Sequence, residues 1–145
     1  MNYSEQPIIL IVDDNPTNLK VLSGAIADSG WEILVATDGE SAIEQAEYAK
    51  PDLILLDVMM PGIDGFETCN QLKQNPITYG IPIVFMTALA ETVDKVKGLS
   101  LGAVDYITKP FQTEEVLARV NVHLKMRLLN KQLAEQKNEL EKRVE

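Results

Sequence analysis

Apolar residues in this chain alternate between two rhythms. Short, nearly unbroken runs occur at Ile8–Val12, Ile33–Val35, Leu53–Leu56, Ile81–Met86 and, less strongly, Val104–Ile107. They are rich in Ile, Val and Leu, and the first, third and fourth barely alternate with polar residues. Such runs predict strands buried on both faces, hence a mainly parallel sheet. Between them apolar positions recur at helical spacing: Leu19, Leu22, Ala25 and Ile26; Ala42, Ile43, Ala46 and Ala49; Phe66, Cys69 and Leu72; Val93, Val96, Leu99 and Leu101. The alternation predicts an α/β chain of five strand–helix units, (βα)5, with helices on both faces of the sheet.

The punctuation agrees. Asn15 is a candidate cap with Pro16 at the first helical position. Gly30 and Gly102 are placed to close the first and fourth helices. From Thr113 the pattern changes: Glu114 and Glu115 suit a first helical turn, and no Gly or Pro follows through Glu145. Val116, Leu117, Val120 and Leu124 would pack on the sheet. Beyond them Met126, Leu129, Leu133 and Leu140 fit the a and d positions of a heptad, while Gln136 and Arg143 fall in d slots and weaken the seam. The expected organisation is a domain over 1–124 and a helical extension over 125–145, a coiled coil or a linker to an output domain, roughly 30 Å long.

Composition narrows the function. Of the 145 residues, 46% are hydrophobic, enough for a real core, and the net charge is −9. Residues 1–124 hold 18 acidic against 7 basic side chains, whereas 125–145 hold 4 against 6. An acidic body argues against direct nucleic-acid binding and suits a cation site. A single cysteine, Cys69, precludes an internal disulfide and fits a reducing, cytoplasmic setting. Met1 to Pro7 has no basic run before an apolar stretch, so it does not read as a secretory signal. The longest apolar run is far too short to span a membrane.

The polar residues that end the strands carry the chemistry. Asp13-Asp14 ends the first, Asp57 the third, Thr87-Ala88 the fourth and Lys109-Pro110 the fifth. In a doubly wound sheet these carboxyl edges meet in one place. Three carboxylates there would repel one another unless a hard cation intervened, and Mg²⁺ prefers oxygen ligands of this kind. Lys109 adds a compact positive charge, Thr87 a hydroxyl donor, and Ala88 leaves space. The set suits in-line phosphoryl transfer to a carboxylate.

Asp13-Asp14, the segment Asp57-Val-Met-Met-Pro-Gly-Ile-Asp-Gly, Thr87-Ala88 and Lys109-Pro110, at these separations, resemble the receiver domain of two-component response regulators over roughly residues 7–124. The resemblance implies a flavodoxin-like sheet of order 2-1-3-4-5. It implies that Asp57 is the phospho-acceptor, that Asp13, Asp14, Asp57 and the backbone carbonyl of Met59 hold Mg²⁺, and that Thr87 and Lys109 contact the phosphoryl group. Tyr106 sits where the family often carries a switch aromatic, and the Lys109–Pro110 bond would be cis. A histidine kinase or phosphotransfer protein would be the donor, and the face formed by the fourth helix, fifth strand and fifth helix would respond.

Blander readings stand beside these. Asp64 supports a turn with Gly62 and Gly65, Cys69 is a small core residue, and the lone histidine, His123, is a solvated or packed helical residue. Two competing functions share the same residues. One is a Mg²⁺-dependent phosphohydrolase working through an aspartyl-phosphate, although no acidic residue stands two positions after Asp57. The other is a dimerisation scaffold independent of phosphorylation. The reading favoured by the sequence is a non-enzymatic receiver that controls a helical homodimer through its fifth helix. The absence of a cap before Glu145 further suggests a following output domain.

Overall fold

The computed structural model describes residues 6–88 and 92–144. In chain order the elements are β1 (Ile8–Val12), α1 (Pro16–Ile26), β2 (Glu32–Ala36), α2 (Gly39–Ala49), β3 (Leu53–Asp57), α3 (Gly65–Gln74), β4 (Ile83–Ala88), α4 (Thr92–Ser100), β5 (Asp105–Lys109) and α5 (Thr113–Val144). The strands form one parallel sheet in the order β2-β1-β3-β4-β5. This is the flavodoxin-like arrangement expected from the sequence, with the long last helix.

Period-two alternation divides the core into two layers. Leu10, Val12, Ile54, Leu56, Ile83 and Phe85 face α2 and α3, meeting Ala42, Ala46, Phe66, Cys69 and Leu72. Ile9, Ile11, Leu53, Leu55, Val84, Met86 and Ile107 face the other way, onto Leu22 and Ile26 of α1 and Val116, Val120 and Leu124 of α5. Central strands therefore need apolar residues at every position, whereas the edge strand β2 fully buries only Ala36.

Local chemistry sets the boundaries. The Asn15 side chain accepts from the Thr17 and Asn18 amides at 2.8 and 3.2 Å and caps α1 ahead of Pro16. A 3-10 turn, Ala27–Ser29, continues α1 and ends on Gly30 at φ +86°. Gly102, at φ +106°, follows α4 in the same left-handed region. Two expectations need correction. The fourth strand starts at Ile83, not Ile81, because Pro82 has no N–H to donate and uses only its carbonyl, which accepts from Ile54 N at 3.0 Å. The fourth helix does not bury the expected stripe: Val96 and Leu99 are 64% and 45% exposed. Gly98 is the buried position instead, and a Cβ there would come within 2.6 Å of the Phe85 ring. The helix approaches the sheet through a missing side chain, a contact that an apolar stripe cannot signal. The side chain of Val93 lies outside the described residues.

α5 is continuous through Val144. Its contacts with the body extend past Leu124: Leu128 packs on the core layer, and Lys131 Nζ pairs with Asp52 Oδ1 at 3.0 Å. On the opposite side Val122, Met126, Leu129, Leu133 and Leu140 form an exposed apolar stripe.

Candidate functional site

Parallel register brings the strand ends level. Val12 pairs with Leu56, Asp57 with Met86, and Ala88 with Lys109. The residues that follow or end these strands therefore share one edge of the sheet. Asp57, Val58, Met59, Met86, Thr87, Ala88 and Lys109 line a cavity of about 400 Å³ there. Asp13, Asp14 and Asp57 each offer a carboxylate oxygen within 4.8 Å of the others. Asp13 is fully buried and Asp57 nearly so, while Asp14 is exposed.

Each group is held by a neighbour. Asp13 accepts from the Asn15 amide at 2.9 Å and from Asn18 Nδ2 at 3.1 Å. Asp57 Oδ1 accepts from Lys109 Nζ at 2.9 Å, and Lys109 also lies 3.9 Å from Asp13 Oδ2. Burial pushes the Asp57 carboxyl up to about 6; the Lys109 hydrogen bond opposes this and the Asp13 charge reinforces it. Thr87 Oγ1 is buried without a hydrogen-bond partner, an uncommon state for a hydroxyl. Oxygen donors at this spacing, with an orphaned hydroxyl beside them, fit a small hard cation and an oxyanion together. The cation charge would offset both the burial and the Asp13 repulsion that raise Asp57.

Backbone supports the acceptor. The Gly65 amide donates to the Val58 carbonyl at 2.9 Å, and a Cβ on Gly65 would collide with the Asp57 carbonyl oxygen. Asp64 caps α3 through the Glu67 amide at 2.8 Å, so it supports the turn, as the sequence suggested. The Lys109–Pro110 bond is cis.

Not every singled-out residue lies in this cavity. Met59 lines it, with its side chain 75% exposed. Tyr106 does not; it packs partly against the α2/α3 core layer, with the Arg119 guanidinium 5.6 Å from its ring centroid. Cys69 is buried, and that burial pushes its thiol up to about 11. His123 is packed rather than solvated, 2.9 Å from Asp105 Oδ2. Asp105 also accepts from Arg119 Nη1 at 2.7 Å. Sequence reasoning missed this network and the Asn18 and Gly65 contacts. Only the spacing of Arg119 and His123, four apart on one helix face, carried a signal.

A family model for the response regulator receiver domain matches residues 9–121. The chain is 46% identical over 131 residues to the alkaline phosphatase synthesis transcriptional regulatory protein PhoP of Bacillus subtilis, covering 90% of this chain and 54% of that protein. It is 42% identical over 119 residues to the DNA-binding dual master transcriptional regulator RpaA of Synechocystis, covering 82% and 49%. The chain thus spans about half the length of these relatives. Among solved structures, chemotaxis response regulator CheY4 of Vibrio cholerae superposes with a TM-score of 0.77 at 29% identity, covering 82% of this chain and 99% of that one. The receiver domain of a signal transduction histidine kinase from Syntrophus aciditrophicus gives 0.75 at 34%, covering 82% and 90%. The fold and the strand-end site define a signalling module. The chain belongs to the response regulator receiver family.

Proposed function

We propose that Asp57 accepts a phosphoryl group from a partner histidine kinase or phosphotransfer protein. The observation that carries this reading is the pairing of Asp57 with Lys109 at 2.9 Å beside the buried, unpartnered Thr87 hydroxyl. One Asp57 carboxylate oxygen attacks the phosphorus of a phosphohistidine. An O–P bond forms, the P–N bond breaks, and the donor imidazole leaves with the bonding electron pair. Lys109 neutralises charge on the phosphoryl oxygens, and Thr87 donates its hydroxyl to one of them. Asp13, Asp14, Asp57 and the Met59 carbonyl would hold Mg²⁺, which supplies charge neutralisation between acceptor and phosphoryl oxygens.

The added charge of about −1.5 to −2 biases a two-state domain. Thr87 engagement frees space that Tyr106 enters, and the α4-β5-α5 face changes shape. The exposed stripe from Val122 to Leu140 pairs with its counterpart on a second copy, so the domain controls a helical homodimer and, through it, any attached output domain. Both PhoP and RpaA are named transcriptional regulators; DNA contact would belong to such an output domain, since the acidic body lacks phosphate-neutralising charge. The setting is cytoplasmic, where histidine-kinase donors act.

Intact mass after incubation with acetyl phosphate and Mg²⁺ tests the assignment. One phosphoryl group is expected on the native chain and none on Asp57→Asn. A gain retained in that variant would remove Asp57 from the role.

A further inference from the structure

At the end of the sheet opposite Asp57, a pocket of about 140 Å³ opens between the α3–β4 connection and the middle of α5. Its polar lining is Lys73, His123, Arg127 and Asn130, with no carboxylate. That is unexpected on a body with 18 acidic against 7 basic side chains. Among the described residues no carboxylate forms an ion pair with Lys73 or Arg127. Asp105, which His123 contacts, is also engaged by Arg119.

Arg127 is the telling member. Its guanidinium packs over Gly80, where a Cβ would meet Nη1 at 3.0 Å. Its Nε is buried with no hydrogen-bond partner. A buried, unsatisfied N–H of a charged group is costly, and native proteins rarely leave one without a hydrogen-bond partner. Lys73 Nζ donates to the Tyr79 and Ile81 carbonyls at 3.1 and 2.8 Å. An ammonium has three donors, so one is left over. Burial, together with the Arg127 charge, holds Lys73 below its ordinary range. Among the described residues, these two cations face one small space with donors unused and no carboxylate paired to either.

We propose that this pocket binds a small oxyanion, a phosphate or a carboxylate, through the guanidinium fork of Arg127 and the remaining Lys73 donor, with Asn130 at its rim. Guanidinium donors match both anions in geometry, and an ammonium suits either as a point charge. The pocket volume admits one such group. Because Lys73 belongs to α3, and Arg127 and Asn130 to the stretch of α5 leaving the body, the bound anion fastens the root of the helical extension to the α3–β4 connection. The site is independent of the phospho-acceptor reading.

Amide chemical-shift titration of the full chain without Mg²⁺ tests this, using inorganic phosphate, then acetate, at constant ionic strength. Expected are saturable shifts at Gly80, Val104 and Asn130 with a dissociation constant on the order of millimolar, as befits a ligand of few atoms. They persist in Asp57→Asn and weaken by about tenfold or more in both Arg127→Gln and Lys73→Met. The tighter of the two anions names the ligand class. Shifts confined to Thr87 and Ala88, no saturation, or unchanged binding in both variants with dispersed, folded spectra would each overturn the proposal.

Discussion

Lys109 Nζ lies 2.9 Å from Asp57 Oδ1 across 52 residues of chain. The pair joins the ends of two strands that are not neighbours in the sheet, since β4 lies between them. It sets one ammonium against two buried carboxylates, because Asp13 Oδ2 is also only 3.9 Å away. The arrangement holds the acidic groups together and leaves Asp57 only partly compensated.

Removing that ammonium should therefore be felt in stability. Lys109→Met is expected to lower the unfolding free energy by about 1–2 kcal/mol near neutral pH, a buried-pair cost discounted for the partial exposure of the lysine. The Asp57 share of this interaction exists only while Asp57 is ionised. The loss should fade as the pH falls through about 6 and Asp57 takes up its proton. Urea midpoints at several pH values measure it.

Asp105 is shifted the opposite way from Asp57, so its pH dependence falls in a more acidic range. Desolvation by burial raises its carboxyl, but the hydrogen bonds from His123, Tyr106 N and Arg119 outweigh it and hold the group below its ordinary 3.8. A depressed acid contributes stability above its unfolded pKa and loses it as pH falls through the folded one. Asp105→Asn is expected to cost about 1 kcal/mol near neutral pH. The gap from the native chain should shrink below pH 3.8. A constant gap across that range would mean that packing, not charge, is lost.

Gly65 stands against the backbone of the acceptor. A methyl group there would overlap the Asp57 carbonyl oxygen, and backbone cannot swing aside as a long side chain can. Gly65→Ala is expected to destabilise by about 1–3 kcal/mol, the range for overpacking. It should also slow phosphoryl uptake from acetyl phosphate, because relief requires the end of β3 to shift. Gly24→Ala, where a Cβ meets nothing within 4 Å, serves as the control and should be neutral or slightly stabilising.

The apolar stripe on α5 has a distinct test. Leu129→Lys together with Leu133→Lys changes two side chains that are 57% and 62% exposed, so the body should unfold at the same urea concentration as the native chain. If the stripe pairs two copies, light scattering should give the dimer mass for the phosphorylated native chain and the monomer mass for the double variant. A native chain that stays monomeric in both phosphorylation states would end the helical-dimer reading.

The legible parts of this protein are those where a single physical rule acts on neighbouring residues. Ile8–Val12 and Leu53–Leu56 announce buried strands because a strand covered on both faces has no room for polar side chains. Asn15-Pro16 announces a helix start because its hydrogen bonds close within three residues. Asp13, Asp14, Asp57, Thr87 and Lys109 could be gathered in advance because in such sheets functional groups collect at the carboxyl ends of strands. Sequence alone thus determined the fold class and the composition of the strand-end cluster.

Tertiary structure alone decided what depends on the distance between elements far apart in the chain. The burial of Gly98 against Phe85, rather than Val96 or Leu99, follows from how closely α4 lies on the sheet. Asp105 meets Arg119 and His123 because α5 crosses β5 at one angle and height. The Lys73–Arg127 pocket exists because α3 and α5, on opposite faces of the sheet, converge beyond its edge. Periodicity records which face of an element is buried. It does not record what that face meets, because packing distance and orientation are set by the whole set of side chains between the elements.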